Sequence, residues 1–260
     1  MRAIARRVAL MKLSAISFSA AVLPLQRLAR AESDLEPVSI KTPSGRKITA
    51  VLSLPAVLPA PAVMIIHGSL GLSGWYESLA AAFAKEGFVG LAADLYGGQF
   101  TTDPDQANVL RQKAYEDFKG TTELLLSWID WLKHDRRSNG KVGIVGYSFG
   151  AQWALEISMC VPVDATVPYY GVIDASTERL GALHGPVLGH FAERDASLPS
   201  APVKRFEDRM RQAGKSVDLR WYAAGHSFAN PEQPNYDKQA AEVAWARTID
   251  FLRTNLQYSR

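Results

Sequence analysis

The chain has 260 residues, 47% of them apolar and 21% charged, enough for one large α/β domain or two small ones with a sizeable core. Its formal charge of +3 comes from residues 1–31, which hold Arg2, Arg6, Arg7, Lys12, Arg27 and Arg30 and no acid; the rest carries 23 basic and 26 acidic side chains, a net of −3. That balance gives no support to nucleic-acid binding, and the single Cys160 excludes an intramolecular disulfide and a cysteine-based zinc site.

Residues 1–31 read as an export signal. A basic start precedes the apolar run Leu13 to Leu25, and Ala29-Arg30-Ala31 suits cleavage before Glu32. The run is short and rich in serine and alanine for a membrane span. Arg6-Arg7-Val-Ala-Leu-Met-Lys12 resembles the bacterial twin-arginine signal, although that pattern more often has Phe-Leu after the arginine pair. A periplasmic or secreted mature protein from residue 32, with no stable membrane insertion, is therefore expected; an uncleaved anchor is the lesser alternative.

From Val38 the pattern turns to strands. Ser39–Lys41 and Ile48–Leu54 are expected to pair across a turn at Pro43-Ser44-Gly45. Pro55–Pro61 is a connection, and Ala62–Ile66 is continuously apolar, as a strand covered on both faces would be. It runs into His67-Gly68-Ser69-Leu70-Gly71. A helix over Trp75–Lys85, a strand over Phe88–Ala93 and one long helix over Asn108–Lys133 follow. After the strand and helix that flank Ser148 come strands near Ala165–Tyr170 and at Val187–Phe191, and a helix near Val203–Ala213. A strand at Val217–Tyr222 and a helix over Tyr236–Leu252 close the series. Cys160, in Ile-Ser-Met-Cys-Val, is expected to be a buried, inert thiol. Strands alternating with helices imply one α/β domain over residues 32–260, with a mostly parallel sheet covered on both faces and ligands at strand carboxyl ends.

Residues 141–150, Lys-Val-Gly-Ile-Val-Gly-Tyr-Ser-Phe-Gly, carry the chemistry. The apolar run Val142–Val145 stops at Gly146, Ser148 follows, and a helix-forming stretch begins after Gly150. Gly-x-Ser-x-Gly between strand and helix forms a turn tight enough to need small neighbours, and it lifts the serine hydroxyl above the sheet edge. A serine hydroxyl is a weak nucleophile, so it needs a base that an acid orients, in the order Ser, Asp or Glu, His for the α/β-hydrolase arrangement. Of the five histidines, His67 lies in the loop expected to shape an oxyanion site and His134 on a charged helix end. His184 precedes Pro186, and His190 is inside a strand. His226 alone follows a strand after the serine, which makes it the base. Asp195 is the favoured acid, after Val187–Phe191; Glu193 competes closely, Asp164 and Asp174 more distantly. The backbone N–H groups of Phe149 and Ser69 are the expected oxyanion donors.

These features together resemble the dienelactone hydrolase family of α/β-hydrolases. The resemblance rests on Ile-Ile-His67-Gly-Ser-Leu-Gly71, Ala-Ala-Asp94-Leu-Tyr-Gly, the Ser148 motif, Tyr169-Tyr-Gly171, the Asp195 loop and Tyr222-Ala-Ala-Gly-His226-Ser-Phe. It implies the α/β-hydrolase fold, a triad of Ser148, Asp195 and His226, and an oxyanion hole of Ser69 and Phe149. The chain departs from the family at four places. Ser148 stands where members carry cysteine, and Gly68 where they have a glutamate that helps activate the thiol. Gly98 and Asn230 stand where dienelactone-cleaving members hold the substrate carboxylate with two arginines. Loss of that bidentate clamp argues against a small carboxylate substrate. The expected activity is hydrolysis of carboxylic esters or lactones, with a small-molecule substrate and no metal or organic cofactor. Leu70, Trp75, Tyr96, Trp153 and Phe228 flank the motif loops as candidate pocket walls, although Trp153 fits a core position equally well. An acyltransferase or peptidase on the same scaffold, or a non-catalytic periplasmic binding protein, are the alternatives.

Overall fold

The computed structural model describes residues 35–256, so the expected signal segment lies outside the described residues. An eight-stranded sheet organises the chain, with strand order β1-β2-β4-β3-β5-β6-β7-β8. Strands β1 (Glu36–Lys41) and β2 (Lys47–Ser53) form an antiparallel hairpin through the turn at Thr42–Gly45. β2 runs antiparallel to β4 (Val89–Ala93). Every other pairing is parallel, through β3 (Ala60–Ile66), β5 (Ser138–Tyr147), β6 (Ala165–Tyr169), β7 (Val187–Ala192) and β8 (Val217–Tyr222). β3, β4 and β6 are buried at every position, because helices cover both faces and leave no side for a polar residue.

One face is packed by α3 (Phe118–His134) and α4 (Phe149–Cys160), which place Leu125, Trp128, Trp153 and Ile157 against Met64, Leu91 and Ile144. The other face holds α1 (Gly74–Lys85) and α7 (Lys238–Leu256), with Phe83, Ile249 and Leu252 against Val63, Ile65 and Val145. A third cluster joins α5 (Thr177–Leu180) and α6 (Ser200–Gln212) to the β7–β8 edge through Phe206, Met210 and Phe191. The chain passes from β3 outward to β4 and then returns to the opposite side of β3 as β5. Crevices outside strand carboxyl ends open at such reversals, so the loops after β3 and β5 face each other there.

Two expectations need correction. The stretch Asn108–Lys133 is two helices, α2 (Pro104–Glu116) and α3. Asp117 leaves helical geometry at ψ 47°, and its carboxylate accepts the Gly120 N–H, capping α3. An aspartate followed three residues later by glycine competes for backbone donors that a continuous helix would use internally. Cys160 is exposed rather than buried. It occupies the last residue of α4, beyond the apolar stripe that ends at Ile157 and Ser158. Partial burial, with Glu156 nearby, raises its thiol above the ordinary value and keeps it protonated.

Candidate active site

Ser148 joins β5 to α4 with φ 51° and ψ −113°, a left-handed conformation that costs a non-glycine residue on the order of 1–3 kcal/mol and persists only where its surroundings enforce it. The enforcement is visible in its neighbours. A Cβ at Gly146 would collide with the Gly150 carbonyl oxygen, and one at Gly150 would collide with the Ile66 carbonyl oxygen. The two glycines thus let α4 start directly against the end of β3, and Ser148 N–H is held by the Tyr169 carbonyl at 2.9 Å.

The structure brings Ser148, His226 and Asp195 together, from loops after β5, β8 and β7. Ser148 Oγ lies 2.9 Å from His226 Nε2, and His226 Nδ1 lies 2.7 Å from Asp195 Oδ2. The Asp195 side chain is only 1% exposed, and its second oxygen, Oδ1, accepts the N–H groups of Ser197 and Leu198 at 2.8 and 3.0 Å. Those two donors fix the carboxylate's orientation and leave Oδ2 aimed at His226. With Oδ2 acting as acceptor, Nδ1 carries the imidazole proton and Nε2 presents a lone pair to Ser148. Glu193 is exposed. Asp164 accepts from Lys141 and the Val142 N–H, and Asp174 pairs with Arg209.

The loop after β3 approaches Ser148 from the side. His67 Nε2 accepts the Leu95 N–H at 3.1 Å, which places the proton on Nδ1, and Nδ1–H donates to the Gly68 carbonyl at 2.7 Å. The Gly71 N–H reaches the same oxygen. In a trans peptide the N–H points opposite to the carbonyl, so fixing Gly68 C=O also aims Ser69 N–H. Among the described residues Ser69 N–H has no acceptor, and Phe149 N–H is in the first turn of α4, where helical donors are unpaired. Asp94 secures this arrangement by accepting from Thr49 Oγ1, Tyr96 N–H and Gly98 N–H. His67 is thus a buried positioning group.

Among the pocket candidates, Leu70 is partly exposed in the loop after β3, and Trp75 packs its ring 5.0 Å from Tyr147. Tyr96 lies between His67 and Phe149, at 4.8 and 6.0 Å. Trp153 and Phe228 are core side chains. Trp153 packs among Tyr115, Phe118 and Phe149, and Phe228 lies behind Tyr169 and Tyr170. Sequence reasoning did not single out Tyr76 or Tyr170 as site residues. Tyr170 has φ 34°, packs its ring against that of His226 with centroids 5.4 Å apart in a T-shaped arrangement, and buries a hydroxyl that has no partner among the described residues. Helical and strand-end positions make such tyrosines look like ordinary core.

At Gly98, φ is +85° and a Cβ would meet open space; Asn230 is buried, and its side chain accepts the Glu232 N–H. The Glu232 carboxylate in turn binds Ser73 Oγ and Trp75 N–H at the start of α1. Asn230 therefore folds the loop after His226 onto α1. Among the described residues no group of three or more His, Cys, Asp or Glu side chains is placed to hold a metal ion, and no helix is long and apolar enough to cross a membrane. A groove of about 1100 Å³ between the end of β1 and α3, lined in part by Thr42, Leu126, Trp131 and His134, contains none of the three clustered residues.

Two buried imidazoles, His67 and His190, have their pKa lowered by desolvation, His190 to about 3. His190 is held neutral between Tyr222 Oη and Thr248 Oγ1, with Arg247 and Arg220 adding repulsion. The unfolded chain protonates these rings below about pH 6.5 while the native state resists protonation, so stability falls as pH drops below 6.5, for His190 down to about 3. Each ring should add up to about 1.4 kcal/mol per pH unit to that loss. Urea midpoints measured between pH 7 and 4 should fall steeply, and His190→Gln should flatten the slope.

The dienelactone hydrolase family model matches residues 48–256. The carboxymethylenebutenolidase of Pseudomonas putida is 30% identical over 227 residues, covering 84% of this chain and 95% of that protein. The carboxymethylenebutenolidase of Pseudomonas sp. strain P51 is 31% identical over 228 residues, covering 84% and 94%. In fold the chain is similar to a dienelactone hydrolase-like promiscuous phosphotriesterase from metagenomic libraries, with TM-score 0.77 and 21% identity over 86% of this chain and 99% of that one. The dienelactone hydrolase of Anabaena variabilis gives TM-score 0.65 and 22% identity, covering 87% and 100%. A match over nearly the whole described domain, on a sheet whose strand ends hold the serine, histidine and aspartate, identifies the chain as a member of the dienelactone hydrolase family and an enzyme of the carboxylic-ester hydrolase class.

Proposed function

We propose that this protein is an exported serine hydrolase that cleaves uncharged carboxylic esters or lactones through an acyl-enzyme. The observation that carries this reading is the unbroken relay from Ser148 Oγ through His226 to the buried Asp195, at 2.9 and 2.7 Å. Ser148 Oγ bonds to the carbonyl carbon while its proton passes to His226 Nε2 and the carbonyl electrons move onto oxygen. Ser69 and Phe149 N–H groups receive that oxyanion. Collapse re-forms the carbonyl and breaks the ester C–O bond, and His226 gives its proton to the departing oxygen. Water, deprotonated by His226, then releases the acid and restores Ser148. Asp195 keeps Nδ1 protonated and stabilises the imidazolium throughout.

Substrate charge follows from what surrounds the relay. Gly98 offers no side chain, and the buried Asn230 amide is engaged with the Glu232 N–H, so neither supplies a guanidinium for a carboxylate. Export is part of the proposal on the strength of Arg6-Arg7, the apolar run and Ala29-Arg30-Ala31.

The test compares short p-nitrophenyl esters with carboxylate-bearing dienelactones, using protein that begins at Glu32. The neutral esters should give the higher kcat/KM by about tenfold or more, the scale of one lost charged hydrogen bond. Labelling by a fluorophosphonate should add one adduct, on Ser148. Preference for the dienelactone would overturn the substrate reading, and a folded protein that neither turns over nor labels would overturn the hydrolase mechanism.

A further inference from the structure

Gly68 contributes no side chain beside the serine, and a phenol fills that space. A Cβ at Gly68 would lie 2.9 Å from Tyr76 Oη and 3.8 Å from Ser148 Cβ, so Tyr76 Oη occupies the room that a side chain at 68 would take next to the nucleophile. The hydroxyl is delivered there from the first turn of α1, with its ring wedged against Trp75, Tyr147 and His67 at 4.7, 5.8 and 6.2 Å. The Gly68 N–H donates to Tyr76 Oη at 2.8 Å, and that is the hydroxyl's one hydrogen bond among the described residues. One lone pair of the oxygen is therefore used, while its O–H has no acceptor.

A buried hydroxyl with an unused donor is costly in a resting protein unless water or a ligand accepts it. Desolvation raises the Tyr76 pKa well above the ordinary phenol value, so the proton is retained. Tyr170 stays neutral for the same reason; its own unpartnered hydroxyl is buried on the histidine side of Ser148.

We propose that Tyr76 is a further catalytic residue, whose O–H donates a hydrogen bond to the carbonyl oxygen of the bound ester as negative charge develops on it. It joins the Ser69 and Phe149 N–H groups as a third oxyanion donor. The Gly68 N–H polarises the phenol by donating to the same oxygen, which strengthens its O–H as a donor. No proton is transferred: the phenol keeps its hydrogen through both tetrahedral intermediates. The proposal rests on the serine-hydrolase reading above.

The test uses the full mature chain and neutral p-nitrophenyl esters, with Ser148→Ala as a parallel control. Tyr76→Phe deletes only the hydroxyl and should lower kcat by about 100-fold, the loss seen when one oxyanion donor is removed, with KM changed by less than about threefold. Tyr76→Phe also frees the Gly68 N–H, so a second series separates donor from anchor. Replacing Tyr76 by 3-fluorotyrosine and then 3,5-difluorotyrosine keeps the shape and makes the phenol a stronger donor but a weaker acceptor. A catalytic donor predicts that kcat rises through the series, by at least about twofold. An anchor for the Gly68 N–H predicts a fall or no change, which would overturn the proposal. If Tyr76→Phe fails to fold, the fluorinated series decides alone. Activity that survives Ser148→Ala would overturn the underlying reading, whereas an inactive Ser148→Ala with kcat flat or falling across the fluorinated series would remove the role of Tyr76 only.

Discussion

Ser148→Ala is expected to lower kcat for ester hydrolysis on the order of 10⁶-fold and to abolish fluorophosphonate labelling. In the proposed mechanism the size follows from the loss of the bond-forming atom: the base and oxyanion donors assigned there remain, and they speed only direct attack by water. Alanine keeps the same Cβ, so the left-handed backbone at φ 51° is no more strained than before. One hydrogen bond, to His226 Nε2, is lost from a partly exposed position. The melting temperature should therefore shift by only a few degrees, which separates loss of chemistry from loss of fold. Matched melting curves with stopped-assay rates check both halves. Residual activity above about 10⁻³ of the parent would move the nucleophile elsewhere.

Asp195→Asn should cost about 10⁴-fold in kcat while leaving the protein folded. The two oxygens of Asp195 have different partners, and this makes the outcome directional. Oδ1 accepts from the Ser197 and Leu198 N–H groups, which only an oxygen can satisfy, so the asparagine amide must place its oxygen there. The amide nitrogen then faces His226 Nδ1 as a donor. Nδ1 becomes the acceptor, the proton moves to Nε2, and Nε2 can no longer take the Ser148 proton. Nitrogen-15 chemical shifts of His226 should report the exchanged tautomer alongside the rate. A fully active Asp195→Asn, with activity lost in Glu193→Gln, would transfer the role to Glu193.

Much of this was legible from local patterns. The apolar run Ala62–Ile66 and the β-branched run ending at Gly146 read as buried strands because a sheet covered on both faces tolerates no polar position. Val217–Tyr222 falls on β8 residue for residue. Gly146 and Gly150 marked the tight turn because only glycine clears the carbonyl oxygens packed against them. Where the reading failed, the cause was a contact or a helix end. Asp117 splits one expected helix in two through a capping bond to Gly120, and Cys160 falls just past the buried stripe of α4. Trp153 and Phe228 sit near motif loops, which made both candidate pocket walls, although Trp153 fitted a core position equally well. Packing turns both into the core.

Residue type and spacing, by themselves, determined the fold class, the strand–turn–helix around Ser148, and the short list of bases and acids that could serve it. Those properties depend on backbone periodicity and on the few residues that each turn admits. Tertiary structure alone decided that Asp195 rather than Glu193 meets His226, since both follow the same strand and differ only in which carboxylate turns inward. It also decided the role of His67, whose two ring nitrogens are divided between Leu95 N–H and Gly68 C=O across separate loops. The same holds for Tyr76: nothing at position 76 marks it as other than core until β3 and α1 are packed together and its hydroxyl fills the space that Gly68 leaves empty.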